Sequence, residues 1–205
     1  MESTRTSEIR LGIRLEIISI IWMVIEMAVS IGAGMAAGSV LLIAFGIDSL
    51  IELISSGIPL WRLRVESRGG DADRVEQAAH RAEWIVAIAL GLLCVYVLSS
   101  TIYGLIVHSK PESTLTGIAI SAAAVLIMPY LAVAKRHIAN RIHSEALADD
   151  AVESITCAYM AGTVLIGLAL NALFGWWWAE HIAALLFLVW LGRETWEAFE
   201  EARSE

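Results

Sequence analysis

The stretch SVLLIAFGIDSLIELISSGIPLW, residues 39–61, is long and apolar enough for a membrane-spanning helix, yet it contains two acids, Asp48 and Glu52. A span needs about 20 mainly apolar residues. An ionised acid at bilayer depth costs roughly 2.5–3.5 kcal/mol on insertion scales, so both side chains should face other helices and be neutralised by protons or a cation. We therefore predict that this helix crosses the membrane with its acids turned inward.

The rest of the chain has the same apolar character. Of its 205 residues, 58% are hydrophobic, and the mean hydropathy of +0.68 excludes an ordinary soluble domain. We predict membrane-spanning helices at roughly 15–34, 39–61, 83–107, 115–134, 148–171 and 179–199. The predicted fold is an all-α membrane protein, with a six-helix transmembrane domain over 15–199, an N-terminal segment at 1–14 and a C-terminal tail at 200–205.

Basic residues predict the orientation in the membrane. With six spans, both termini and the segments around 62–82 and 135–147 share one side, and of the 14 Lys and Arg residues only Lys110 falls on the other. Because short loops rich in basic residues stay in the cytoplasm, we expect both termini to be cytoplasmic in an integral protein of the cell (inner) membrane. The net charge of −8 gives no indication of a nucleic-acid partner.

A second acidic pair, Asp149 and Glu153, lies in the predicted fifth span with the spacing of Asp48 and Glu52. Both segments read Asp-x-x-x-Glu-x-Ile-Ser/Thr. Residues four apart share one helix face, so if the two faces meet, four carboxylates enclose a cavity suited to a divalent cation. We predict a metal site made by these four acids, with no Arg or Lys in reach as counter-ion.

Two further acids leave alternatives open. Asp150 allows a register shifted by one residue, but only Asp149 stands four before Glu153, so Asp150 is a reserve ligand. Acids near a helix start can also serve as caps. Glu26, in the first span, is an accessory ligand or proton carrier, or else a protonated residue of helix packing. The two cysteines form no CxxC pair and are expected to pack as apolar side chains.

The predicted site couples metal to protons. A carboxylate must lose its proton to bind a metal, so the two compete for the same oxygens. Opening the site to each side in turn gives proton-coupled antiport. We expect no permanently bound cofactor, because the divalent metal is the transported substrate. The chain has no His-Glu-x-x-His, Ser/His/Asp grouping or Gly-rich phosphate loop, so we predict no catalytic residues and no enzyme.

At these residues the chain resembles the cation diffusion facilitator, or cation efflux, family. Residues 45–52, FGIDSLIE, are similar to the family's second-helix motif, in which two acids supply half of a tetrahedral metal site. Residues 145–154, EALADDAVES, are similar to its fifth-helix motif, and residues 175–184, GWWWAEHIAA, to the entry of its sixth helix. The resemblance implies a six-helix transmembrane domain that exports divalent metal from the cytoplasm against protons.

The chain departs from the family pattern in three places. Asp149 stands where the family often has histidine, and glutamate replaces aspartate at Glu52 and Glu153. An all-oxygen site favours Mn²⁺, Fe²⁺, Co²⁺ or Mg²⁺ over strict zinc selectivity, although carboxylates bind Zn²⁺ too. The sequence also ends after the sixth helix, so we expect no C-terminal cytoplasmic domain, and a homodimer would use the membrane helices. A non-transporting membrane subunit or regulator of the same family is the alternative.

Overall fold

Within the residues that it describes, the computed structural model contains six helices. It describes the backbone of residues 2–66, 72–112, 114–142 and 144–204, and the side chains of 10–57, 77–78, 80–112, 114–142, 144 and 147–203. The predicted terminal segments 1–14 and 200–205 and the predicted loop at 62–82 therefore lie partly outside the described residues. The helices are α1 (Glu2–Ala37), α2 (Val40–Glu66), α3 (Ala72–Ile106), α4 (Leu115–Ile142), α5 (Glu145–Phe174) and α6 (Trp177–Ser204).

Five of these helices contain segments long and apolar enough to cross a membrane, namely Arg10–Ala37, Val40–Gly57, His80–Ile106, Leu115–Ile142 and Leu147–Phe174. The sixth, α6, carries more charge, but its 28 residues reach roughly 42 Å, more than the hydrocarbon thickness of about 30 Å. The predicted all-α membrane bundle is confirmed. Several helices extend beyond the predicted membrane spans, and α3 begins at Ala72, before the span predicted at 83–107.

The six helices form a ring, and α2 is the member of the ring that carries Asp48 and Glu52. Helix α1 packs against α2 and α4, α3 against α2 and α6, and α5 against α4 and α6. Helix α2 also makes smaller contacts with α5 and α6 across the middle of the ring. An acid on the inner face of α2 can therefore meet side chains from both of these helices.

Close packing of α1 on α2 depends on two glycines. A Cβ atom added at Gly34 would lie 2.8 Å from the backbone of α2, and one added at Gly46 would lie 2.9 Å from the backbone of α1. Small residues let membrane helices approach in this way. The approach brings Glu26 of α1 within hydrogen-bond distance of Ser49 of α2, where the Ser49 hydroxyl donates over 2.8 Å.

Helix α5 has a defined cap at each end. The Ser144 hydroxyl accepts a hydrogen bond from the Leu147 N–H at 3.4 Å, and the helix ends at Gly175, whose φ of 66° is left-handed. Gly175 lies at the end of the bundle that carries the links 38–39, 107–114 and 175–176. We call this the outer end, following the orientation predicted from the basic residues.

Candidate metal centre

Asp48 and Glu52 lie on the inner face of α2, where they are 1% and 3% exposed. They continue a stripe of buried residues that includes Leu41 and Phe45, at helical spacings of three and four. Both carboxylate oxygens of Asp48 and Oε1 of Glu52 have no hydrogen-bond partner within the described part of the chain. Because unpaired buried carboxylate oxygens are costly, these atoms need a proton or a cation. The predicted inward orientation of both acids is confirmed.

Glu194 of α6 joins this pair. One ligand oxygen from each of Asp48, Glu52 and Glu194 lies within 4.8 Å of the other two, and Oε2 of Glu194 is also unpaired among the described residues. The neighbouring Arg193 does not neutralise Glu194, since its Nε donates to Oε1 of Glu197 at 2.8 Å. The sequence prediction missed Glu194, although it continues the buried stripe of Phe187 and Leu191.

Helix α5 reaches the same region through Glu153. This residue lines a small cavity together with Glu52 and Cys157, and its charge interacts with that of Glu194. Of the four acids predicted to form the site, Asp48 and Glu52 thus converge with Glu194, while Glu153 lies outside this group and lines the cavity beside Glu52.

Asp149, the fourth predicted ligand, is exposed. The inner face of α5 is set by the buried residues Ser154, Cys157 and Ala161. At 3.6 residues per turn, Asp150 falls on this face, whereas Asp149 lies about 90° around the helix. The four-residue spacing shows that Asp149 and Glu153 lie on the same side of α5. It does not show how α5 is rotated in the bundle, so it could not decide between Asp149 and Asp150.

Lys135 of α4 contradicts the expectation that no basic residue lies within reach of these acids. Its ammonium group pairs with Oδ2 of Asp150 and lies 3.5 Å from Oε2 of Glu16. Lys135 is 1% exposed and lines the same small cavity as Glu52 and Glu153. The sequence prediction placed Lys135 in a cytoplasmic loop because it follows the apolar stretch 115–134. Helix α4 in fact continues to Ile142, with Lys135 on its buried face.

Replacing Lys135 by methionine should lower the free energy of unfolding by about 3 kcal/mol, the lower end of the range for breaking a buried ion pair. We expect the lower end because Asp150 and Glu16 are partly exposed. Unfolding in detergent measures this loss. The double variant Lys135→Met/Asp150→Asn should recover most of it, and Lys110→Met, at an exposed position, serves as the control. Equal stability of Lys135→Met and the wild type would contradict a structural ion pair.

Glu26 is fully buried but, unlike Asp48, is well supplied with hydrogen bonds. It accepts from Trp22 Nε1 at 2.7 Å, from the Ser49 hydroxyl at 2.8 Å and from the Cys157 thiol at 3.8 Å. These contacts join α1, α2 and α5 and favour the packing role over that of accessory ligand. The thiol of Cys157 also lies 3.4 Å from Oε2 of Glu52. We had expected this cysteine to pack as an apolar side chain, but it contacts two acids.

Comparison with known proteins matches residues 17–205 to the family described as the cation efflux transmembrane domain. Two curated relatives, each named cation-efflux pump FieF, come from Cronobacter sakazakii and Shewanella oneidensis and are 26% and 23% identical over 160 and 172 residues. The alignments cover 76% and 80% of this chain but 51% and 56% of the relatives, so the chain spans about half their length. With the six-helix bundle and its buried acids, this match shows that the chain belongs to the cation efflux family, a family of transporters rather than of enzymes.

Proposed function

We propose that this chain carries a divalent metal cation across the membrane in exchange for protons. The observation that carries the proposal is the convergence of Asp48, Glu52 and Glu194, whose unpaired oxygens face one another in the interior of the bundle. Intramembrane acids of this kind mark ion pathways. The name of both relatives, cation-efflux pump, supports export as the direction of transport.

The ligand set supports a particular class of metal. Asp48, Glu52 and Glu194 offer carboxylate oxygens, and Glu153 is the acid that α5 places in the cavity beside Glu52. Oxygen ligands suit Mn²⁺, Fe²⁺ and Co²⁺, and carboxylates also bind Zn²⁺. Asp149 would need α5 to turn by about a quarter of a turn to join them. Asp150 would first have to leave Lys135.

Proton exchange follows from the chemistry of the same oxygens. A carboxylate that binds the metal cannot keep its proton, so loading the site with metal releases protons, and removing the metal takes protons up. The acids of α2 repel one another and Glu194, so the ionised site is unfavourable when it holds neither a metal ion nor protons. If the site opens to one side at a time, metal and protons move in opposite directions.

The orientation and assembly remain proposals drawn from the sequence. The distribution of basic residues favours cytoplasmic termini in the cell membrane. Release at the outer end would then be export. From the sequence we also propose a homodimer that forms through the membrane helices.

Vesicles reconstituted with the 205-residue chain and loaded with a pH-sensitive dye test the proposal. Addition of Mn²⁺ or Co²⁺ outside should move metal inward and protons outward, and an imposed pH gradient, acidic inside, should speed the uptake of metal. Metal entry without opposite proton movement would refute the coupling. Absence of metal entry would refute transport itself and favour a non-transporting member of the family.

A further inference from the structure

Cys157 of α5 is a buried thiol that lies between acids of two other helices. It is 1% exposed, and its Sγ atom lies 3.4 Å from Oε2 of Glu52 in α2 and 3.8 Å from Oε1 of Glu26 in α1. A thiol has one hydrogen to donate, so it serves one acceptor at a time. The shorter contact assigns that hydrogen to Glu52.

The second acceptor near the thiol, Glu26, is already supplied with donors. It accepts hydrogen bonds from Trp22 Nε1 at 2.7 Å and from the Ser49 hydroxyl at 2.8 Å. Glu52 has no such donors within the described residues, and a buried carboxylate oxygen without a partner is costly. Glu52 therefore gains more from the thiol hydrogen than Glu26 does.

The two carboxylate oxygens of Glu52 differ in their surroundings. Oε2 accepts from the thiol of Cys157, whereas Oε1 has no hydrogen-bond partner in the part of the chain that the structure describes. One oxygen of the carboxylate is thus held by the protein. The other is left for a cation.

The hydroxyl groups of α5 next to Cys157 do not share this role. Ser154, on the same face of the helix, donates to the carbonyl oxygen of Asp150 at 2.9 Å, and Thr156 donates to that of Val152 at 3.4 Å. Both hydrogen bonds stay within α5. Among the described residues, Cys157 is the one through which α5 donates a hydrogen bond to an acid of α2.

We propose that Cys157 is a positioning residue for Glu52 in the candidate metal centre. The inference rests on the proposed function, because it takes Glu52 as a ligand of the transported cation. The thiol holds Oε2, which leaves Oε1 to the cation that Glu52 shares with Asp48 and Glu194. Groups that hydrogen-bond a metal ligand commonly contribute 10–100-fold to affinity, and a thiol is a weak donor, so we expect the lower end of that range.

Calorimetric titration with Mn²⁺ measures this contribution. Cys157→Ala should raise the dissociation constant about tenfold, because Glu52 loses its hydrogen-bond donor. Mn²⁺ prefers oxygen ligands to sulfur, so the loss reports positioning rather than direct binding of metal by the thiol. Ser154→Ala is the matched control, since it removes a polar atom from the same small cavity but one that bonds only within α5. Its affinity should stay close to that of the wild type.

The infrared S–H stretching band gives a readout that a purely structural role would not move. The chain has two cysteines, so Cys94→Ala leaves Cys157 as the only thiol. In this background the band should shift in Glu52→Gln, because an amide oxygen is a weaker acceptor than a carboxylate. It should also shift when Mn²⁺ binds, because the cation draws charge from the carboxylate. These spectra keep the native Cys157 and do not depend on the folding of Cys157→Ala.

Two results would overturn the proposal. One is a Mn²⁺ affinity of Cys157→Ala equal to that of Ser154→Ala, and the other is an S–H band that stays the same in Glu52→Gln. Absence of Mn²⁺ binding by the wild-type chain is a different outcome. It would refute the proposed function itself, and with it the role given to Cys157.

Discussion

Replacing Asp48 by asparagine is expected to slow Mn²⁺ or Co²⁺ uptake into reconstituted vesicles by about 100-fold or more. Groups that only orient metal ligands already contribute 10–100-fold, so a direct ligand should contribute at least as much. Asparagine keeps the size of the side chain and removes its negative charge. Neither oxygen of Asp48 accepts a hydrogen bond from the described residues, so the fold should persist.

Asp149→Asn is the matched control for this experiment. It makes the same chemical change in the second acidic pair of the sequence, but at an exposed position of α5. We expect its uptake to remain close to that of the wild type, with both variants checked for equal incorporation and melting temperature. Normal uptake by Asp48→Asn would reject the assignment of the site to α2, and a large loss in Asp149→Asn would restore this residue as a ligand.

Replacing Glu194 by glutamine is expected to weaken divalent metal binding about 10–100-fold. The change removes one of the three converging charges while leaving Asp48 and Glu52 in place. Calorimetric titration with Mn²⁺ or Co²⁺ measures the dissociation constant directly. Fewer protons should be released per metal bound, because one carboxylate fewer is available to exchange.

Glu197→Gln controls for the loss of charge on α6. Glu197 lies three residues further along the helix, and its exposed pair with Arg193 should contribute little. Its metal affinity should change far less than that of Glu194→Gln, because Glu197 acts on the site only through its charge near Glu194 and not as a ligand. An unchanged affinity in Glu194→Gln would show that α6 supplies no ligand to the site. The ligands would then come from α2 and α5 alone.

The fold could be predicted from the sequence because the apolar stretches are long and separated by polar links. Where a helix continues beyond the bilayer, hydropathy no longer marks its end, which is why α3 and α4 extend beyond the predicted membrane spans. This extension had a consequence for chemistry. Lys135 moved from a predicted loop to the buried face of α4, where it pairs with Asp150.

The acidic site could be predicted only in part. Asp48 and Glu52 stand alone in an apolar stretch, so their burial followed from the cost of an exposed charge in lipid. Glu194 sits beside Arg193 near a charged helix end and resembles half of a surface ion pair. However, Glu194 follows the buried residues Phe187 and Leu191 at helical spacing, which indicates that it faces inward.

The rotation of α5 could not be obtained from acid spacing. Asp149 and Asp150 are both compatible with a partner at Glu153, and only the packing of Ser154 and Cys157 decides which of them faces the bundle. The resemblance to the fifth-helix motif did not resolve this choice either, because the adjacent acids Asp149 and Asp150 allow the match to shift by one residue.

Anomalous diffraction from crystals of the chain grown with Mn²⁺ or Co²⁺ would locate the bound cation directly. We expect a metal peak between α2 and α6, roughly 2.0–2.6 Å from oxygens of Asp48, Glu52 and Glu194. The same crystals of Asp48→Asn should lose that peak. A metal peak elsewhere in the chain, with none beside these three side chains, would refute the assignment of the site.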